Sequence, residues 1–390
     1  MIMKKILIVN NNMQVGGVQK SLCNLLWAIH DRFEVTLYLF SSWGEYRNDI
    51  PGDVRVIECG GPFRFLGVSQ HQCTGLDKLK RGALVLLCRV FGRRTVLRML
   101  LPLEKCVEGQ YDCAIAFLQN GNHRNFYGGV QDFVLGKVKA DRKIAFLHCD
   151  YGNCGADHPD NNRLIAEFDQ IAACSDGCRE AFAAVLPEMA EKTVTVRNFH
   201  RYEQVRALAD QEPEEYDPTV QNVVMVSRLS HEKGIERAIR AVARAVEQGI
   251  PVMLHIVGGG PMRDMLEKTA EELGICSCVR FYGEQANPYR YVKNADLFVM
   301  SSFHEAAPMV IDEALCLNVP VLTVQTTSSY EMVTLRQGGW VCENTEEALS
   351  QTLIRVLSDT KGIDTVRNIL RGQYNNNNAA AAQFAELFEG

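Results

Sequence analysis

The feature that most constrains this chain is residues 296–320, DLFVMSSFHEAAPMVIDEALCLNVP. A four-residue apolar run, 297–300, has the length and composition of a strand buried on both faces. A short loop follows, then Pro308, which suits the first turn of a helix; the pattern predicts a helix from there to Leu317. Glu305 lies in the loop and Glu313 in the second helical turn. Helical side chains lean toward the N-terminus, so Glu313 can reach back over the first turn. Both acids, with the unpaired N–H groups of Met309 and Val310, can then address one ligand. Anions suit the N–H groups of such a helix mouth, and hydroxyl-rich groups such as sugars or ribose suit the ionised carboxylates.

A strand–loop–helix unit of this kind needs neighbours, and the chain supplies them. Strand-like runs at 5–10, 34–40, 54–57, 112–118, 143–147 and 171–174 alternate with helical segments, and the alternation resumes at 223–226, 252–257, 279–283 and 319–323. This is an α/β chain with parallel sheets. At 390 residues it is too long for one small core and predicts two domains. The acidic, proline-containing QEPEEYDPT at 211–219 reads as part of a linker. The expected division is 1–200, a linker at 201–219, a second domain at 220–365 and a terminal helical segment at 366–390.

Several loops carry candidate binding groups. Gly16 and Gly17 follow the first strand, where backbone can approach a ligand closely. They do not form the G-x-G-x-x-G dinucleotide fingerprint. His148, with Asp150 two residues on, ends a strand, which is where open α/β sheets place ligands. Arg228 and Lys233 sit in SRLSHEKG (227–234) just before a helix, an arrangement suited to a diphosphate. Gly258, Gly259 and Gly260 precede Pro261 in another strand-to-helix turn. Ser175 reads as a helix N-cap, and Asn344 with Glu347 resembles a capping box.

Taken together these motifs resemble one family. Glu305 and Glu313, with seven residues between them, resemble the E-x7-E signature of retaining, nucleotide-sugar-dependent glycosyltransferases of family 4 (glycosyltransferase group 1). S-R-L-x-x-x-K-G is similar to that family's (G/S)-R-L-x-x-x-K-G, the glycines at 258–260 to its G-x-G-P turn, and Glu331 with Gly338 and Gly339 to its late E…G-G pattern. The likeness spans nearly the whole chain and is strongest over 222–342. It implies the GT-B architecture: two Rossmann-like domains facing each other across a cleft, with a C-terminal helix crossing back to the first. It also implies transfer of a sugar, with anomeric retention, from a nucleotide-diphosphate donor to a hydroxyl. In that scheme Arg228 and Lys233 neutralise the diphosphate, Glu305 holds the sugar hydroxyls, Glu313 the ribose, and His148 contacts the donor sugar. Gly16, Gly17, Gly258, Gly260, Met309 and Val310 line the donor site. No metal and no cofactor are expected, and no D-x-D motif stands out.

The chain departs from many relatives in carrying Glu305-Ala306-Ala307-Pro308 where they have Glu-Gly. The P-M-V that follows resembles members building bacterial capsules and surface polysaccharides, which favours a UDP-sugar donor and a glycan or lipid-linked acceptor. Other readings of a GT-B chain are a nucleotide-sugar epimerase or hydrolase, and a non-catalytic scaffold subunit.

Charge and cysteine usage narrow the setting. The net charge is −6, but residues 1–200 hold 24 Lys+Arg against 21 Asp+Glu and the remainder 17 against 26. The basic excess concentrates at 76–105, where Lys78, Lys80, Arg89 and Arg98 alternate with leucines and valines. Such a segment suits either an anionic membrane surface or a solvated helix packed by its apolar side. No nucleic-acid-binding motif accompanies it, and nucleic acid is not expected as a partner. Fourteen cysteines without a regular pairing pattern point to a reducing compartment. The N-terminal apolar run is too short for a signal peptide. The expected location is the cytoplasm, either free or held peripherally on the inner face of the cell membrane.

Overall fold

The computed structural model describes residues 3–388. The chain divides into two compact units: the first gathers it up to His200 and again from Asn377, the second spans Arg201–Asn376. Each unit is built on one parallel sheet.

In the first unit the strands are β1 (Lys5–Asn10), β2 (Glu34–Leu39), β3 (Arg55–Glu58), β4 (Tyr111–Ala116), β5 (Ala140–Leu147), β6 (Gln170–Ala173) and β7 (Thr193–Thr195). They are ordered β3-β2-β1-β4-β5-β6-β7. The core shows why β1 reads as an unbroken apolar run. Leu7 and Val9 pack into one buried cluster with the aromatic side chains of Phe40, Phe63 and Phe133, whereas Ile6 and Ile8 pack into another on the opposite face with Leu22 and Leu26. A strand covered on both faces has no polar side to show.

The second unit repeats the plan with β8 (Gln221–Val226), β9 (Val252–Val257), β10 (Val279–Gly283), β11 (Leu297–Met300), β12 (Val321–Val324) and β13 (Gly339–Cys342), ordered β10-β9-β8-β11-β12-β13. Val223 and Met225 face one core cluster, Val224 the other. In both sheets the first strand lies inside the order, with later strands added to either side. The order therefore reverses between β1 and β4, and between β8 and β11. Crevices beyond the C-terminal ends of strands at such reversals are where open α/β sheets bind ligands.

The unit boundaries differ from the sequence expectation. Residues 201–219 are not a free linker: the helix Tyr202–Ala209 buries Val205 and Ala209 in the second unit's core. Tyr216 bonds the Tyr291 carbonyl at 2.7 Å. At the other end the helix Thr360–Arg371 stays with the second unit through Leu370. Only the last helix, Asn378–Glu386, joins the first unit, packing Phe384 against Phe33 and Phe199. Asn377 fixes its start by accepting from the His200 N–H and donating to the His200 carbonyl.

The capping box is also corrected. Thr345 caps the helix Glu346–Ser358 by accepting from the Ala348 N–H, and Asn344 is employed elsewhere, as described below. Ser175 does cap the helix Asp176–Val185, accepting from the Cys178 N–H. The basic segment forms two helices, Gly75–Phe91 and Arg93–Leu100. No helix among the described residues is long and apolar enough to cross a membrane.

Candidate active site

The reversal between β8 and β11 brings two sequence-distant loops together. Lys233 donates from Nζ to Glu305 Oε1 at 2.6 Å, and their side chains are only 20% and 16% exposed. A carboxylate and an ammonium this shielded interact more strongly than a surface pair, and each is costly to leave alone.

The loop carrying Glu305 is fastened to the loop carrying Lys233 at several points. The Phe303 N–H donates to the Glu232 carbonyl at 2.9 Å, and Ser301 Oγ to the Lys233 carbonyl at 3.1 Å. Arg237, buried in the helix Ile235–Glu247, donates to the Ser301 carbonyl and to Asn344 Oδ1 while its guanidinium lies 4.0 Å from the Phe303 ring centroid. Asn344 completes the clamp by donating to the Phe303 and Gln325 carbonyls. Gly234 makes the close approach possible: its φ is +58°, and a Cβ there would lie 2.3 Å from the Ser301 carbonyl oxygen. Sequence reading missed Arg237, Asn344 and Phe303 as supports. Only their nearness to the motifs pointed to them, since their partners are tens of residues away.

Arg228 stands differently. Its side chain is 69% exposed and, among the described residues, pairs only with Glu232, at 3.3 Å. It is available to an incoming anion at small cost. Ser230 shares the same Glu232 carboxylate at 2.7 Å.

The glycine turn after β9 lies against the Arg228 loop. The Leu229 N–H donates to the Gly259 carbonyl and the Met262 N–H to the Leu229 carbonyl. With φ of +158°, Gly260 would place a Cβ 2.4 Å from the Leu229 carbonyl oxygen, and Gly258, at +141°, would place one 1.9 Å from that of Ser227. Both glycines are thus required by backbone crossing backbone, which holds the Arg228 loop in place. The helix Met309–Cys316 begins after Pro308, buries Glu313, and offers the N–H groups of Met309 and Val310, which have no acceptor within the helix, while that of Ile311 bonds the Pro308 carbonyl.

In the first unit, Gly16 and Gly17 open the helix Gly17–Ile29 after β1. Gly16 is extended, and no described residue lies within 4 Å of where a Gly17 Cβ would stand, so the backbone there has open space beside it. His148 follows β5, its ring 4.5 Å from that of Phe117. Burial pulls its pKa down to about 4, so it is neutral near pH 7. Its Nε2 makes no hydrogen bond to the described residues. Asp150 is taken up locally, accepting from the backbone and side chain of Asn153. Among the described residues no group of three or more His, Cys, Asp and Glu is arranged to hold a metal ion.

The two parallel sheets with their helices match solved glycosyltransferase structures of the GT-B fold. Residues 209–376 match the family Glycosyl transferases group 1, and this part of the chain is a group 1 glycosyltransferase domain. The chain is 37% identical over 105 residues to the lipopolysaccharide core biosynthesis glycosyltransferase LpsE of Rhizobium meliloti, covering 27% of this chain and 29% of that protein. It is 28% identical over 204 residues, half of each chain (51%), to the GDP-mannose-dependent alpha-(1-6)-phosphatidylinositol dimannoside mannosyltransferase of Mycobacterium tuberculosis. The chain thus spans about half or less of the length of these curated relatives. Among solved structures it resembles Anabaena Alr3699/HepE in complex with UDP-glucose, with a TM-score of 0.65 at 19% identity over 99% of this chain and 97% of that one.

Proposed function

We propose that the protein transfers a sugar, with retention of anomeric configuration and without a metal, from a UDP-sugar to a hydroxyl of a glycan or lipid-linked acceptor in surface polysaccharide synthesis. The observation that carries the reading is the shielded Lys233–Glu305 pair at the β8/β11 reversal, beside the exposed Arg228 and the open first turn at Met309 and Val310. The barrier to such a transfer is departure of a nucleoside diphosphate from an oxocarbenium-like carbon. Groups that hold the growing negative charge on the leaving oxygens lower it. Lys233, Arg228 and the first-turn N–H groups supply positive charge and donors without a proton transfer. Glu305 accepts from sugar hydroxyls, Glu313 from ribose hydroxyls. His148 joins the proposal as a contact for the transferred sugar, on the strength of its motif and its neutral ring. Gly16, Gly17, Gly258 and Gly260 shape the loops around the donor.

The donor base follows from resemblance to polysaccharide-building members, and it is supported by the UDP-glucose bound in the Anabaena relative. The mycobacterial relative is named for GDP-mannose, so the test must separate the two. Calorimetry with UDP, GDP and ADP in the presence of EDTA is expected to show UDP binding that weakens in Arg228→Ala. Preference for GDP would overturn the UDP assignment, and loss of all binding in EDTA would overturn metal independence. Donor consumption at the same rate with and without any acceptor hydroxyl would point to hydrolysis or epimerisation. The anomeric configuration of the product, read by NMR, tests retention.

A further inference from the structure

We propose that the outward face of the helix Gly75–Phe91 docks on an anionic lipid surface. This helix is apolar on two faces. Its inner face, with Leu84, Val85, Leu87 and the buried Cys88, packs on the first unit's core. Its outer face carries Leu76, Leu79, Leu86 and Val90 at 74%, 71%, 64% and 65% exposure, with the exposed Ala83 between them. The spacing of these five is three, four, three and four residues, one continuous stripe along a helix roughly 25 Å long. Phe91, at the helix end, and Met99 and Leu103, later in the segment, are exposed as well. An exposed apolar strip of this length marks a surface awaiting a partner.

The charges choose the partner. Lys78, Lys80, Arg89 and Arg98 are exposed, and none has an ion pair among the described residues. The only acid in residues 75–103, Asp77, is held by Arg64 at 2.8 Å. Three other cations of the segment are spent on structure: the buried Arg93 bonds the Gly121 and Asn122 carbonyls, Arg81 those of Phe65 and Val68, and Arg94 pairs with Asp160 at 2.6 Å. The helix packs on the first unit by one side, and the opposite side is the one proposed to meet lipid. A second copy of the chain would set like charges against each other. A bilayer with anionic headgroups takes the leucines into its interface and the cations at its surface.

The test uses the full chain and needs no donor or acceptor, so its outcome is separate from that of the transferase reading. Phosphatidylcholine vesicles with and without phosphatidylglycerol are sedimented with the protein at low salt and at about 0.5 M, where charge is screened over a few ångströms. Binding is expected to the anionic vesicles at low salt only. Lys78→Ala with Lys80→Ala should weaken it roughly 25-fold, about fivefold per cation. Leu79→Glu with Leu86→Glu should abolish it with an unchanged thermal melt, and Lys268→Ala, on the second unit, should leave it intact. Failure of the native chain to sediment with anionic vesicles, or equal binding to neutral ones at both salts, overturns the proposal. So does a dimer, seen by sedimentation velocity, that the leucine variant dissolves while the native chain ignores vesicles. If the leucine variant does not fold, the lysine variant and the salt dependence decide.

Discussion

The Lys233–Glu305 pair makes a quantitative demand. Replacing Lys233 by Met keeps most of the side-chain volume and removes the charge, leaving the Glu305 carboxylate without its 2.6 Å partner. Breaking a fully buried pair costs about 3–5 kcal/mol, and an exposed one about 0–1. With side chains 20% and 16% exposed, this pair should lie between, at about 1–3 kcal/mol of folding stability. Glu305→Gln in the same background should recover much of that loss, because the orphaned charge is gone. Nucleotide binding should respond differently. A diphosphate on Lys233 gains a charge-assisted contact worth about 1.5–3 kcal/mol, so Lys233→Met should weaken UDP roughly 10- to 150-fold. Glu305→Gln alone should leave UDP binding equal or tighter, because the diphosphate no longer competes with the carboxylate for the ammonium. Urea denaturation and calorimetry on the four proteins of this double-mutant cycle measure both quantities. Native UDP affinity in Lys233→Met would refute the diphosphate role. Full stability in that variant would refute the coupling of the two loops.

Further expectations follow from the same geometry. Gly260→Ala sets a methyl 2.4 Å from the Leu229 carbonyl oxygen at a positive φ, and should cost about 2 kcal/mol or more of stability, read from the denaturation midpoint; Gly17→Ala, with open space around it, should fold normally. Asn344→Ala removes two donated bonds and one accepted from Arg237; a loss of about 1–3 kcal/mol is expected, with a fall in kcat exceeding any change in UDP affinity. Burial holds both His148 and His255 down to a pKa of about 4, below the ordinary 6.5. His255 bonds Tyr282 and Asn222. The unfolded chain therefore binds more protons than the folded one between these values, and stability should be full above about pH 7 and fall as pH drops from 6.5 toward 4. His255→Gln should flatten that slope in urea titrations across the range, and an unchanged slope would refute the assignment. Cys149 and Cys154, whose sulfurs are 3.0 Å apart, should be the first pair lost to thiol labelling under mild oxidation, as peptide mapping can read.

The amino-acid sequence alone determined the strand–helix alternation, because fully buried parallel strands must be continuous apolar runs and the intervening helices must start and stop at recognisable residues. It also located the loop motifs, since Gly258, Gly260, Arg228 and Lys233 stand in strand-to-helix turns that are recognisable from the alternation. What it left open has one physical cause: which surfaces meet depends on strand order. Nothing near Lys233 announces that β8 will lie beside β11, yet that adjacency alone sets its ammonium against Glu305, 72 residues away. Asn344 passed for a capping residue because its side chain suits that role locally; the tertiary structure spent it on carbonyls from two distant loops. Residues 201–219 looked like a linker because they are acidic and contain proline, while Val205, Ala209 and Tyr216 find apolar and hydrogen-bonding partners only once the second core exists. The helix Gly75–Phe91 shows the same division. Composition marked it as basic and amphipathic, but only its packing on the first unit determined which leucines the core would take and which would be left facing outward.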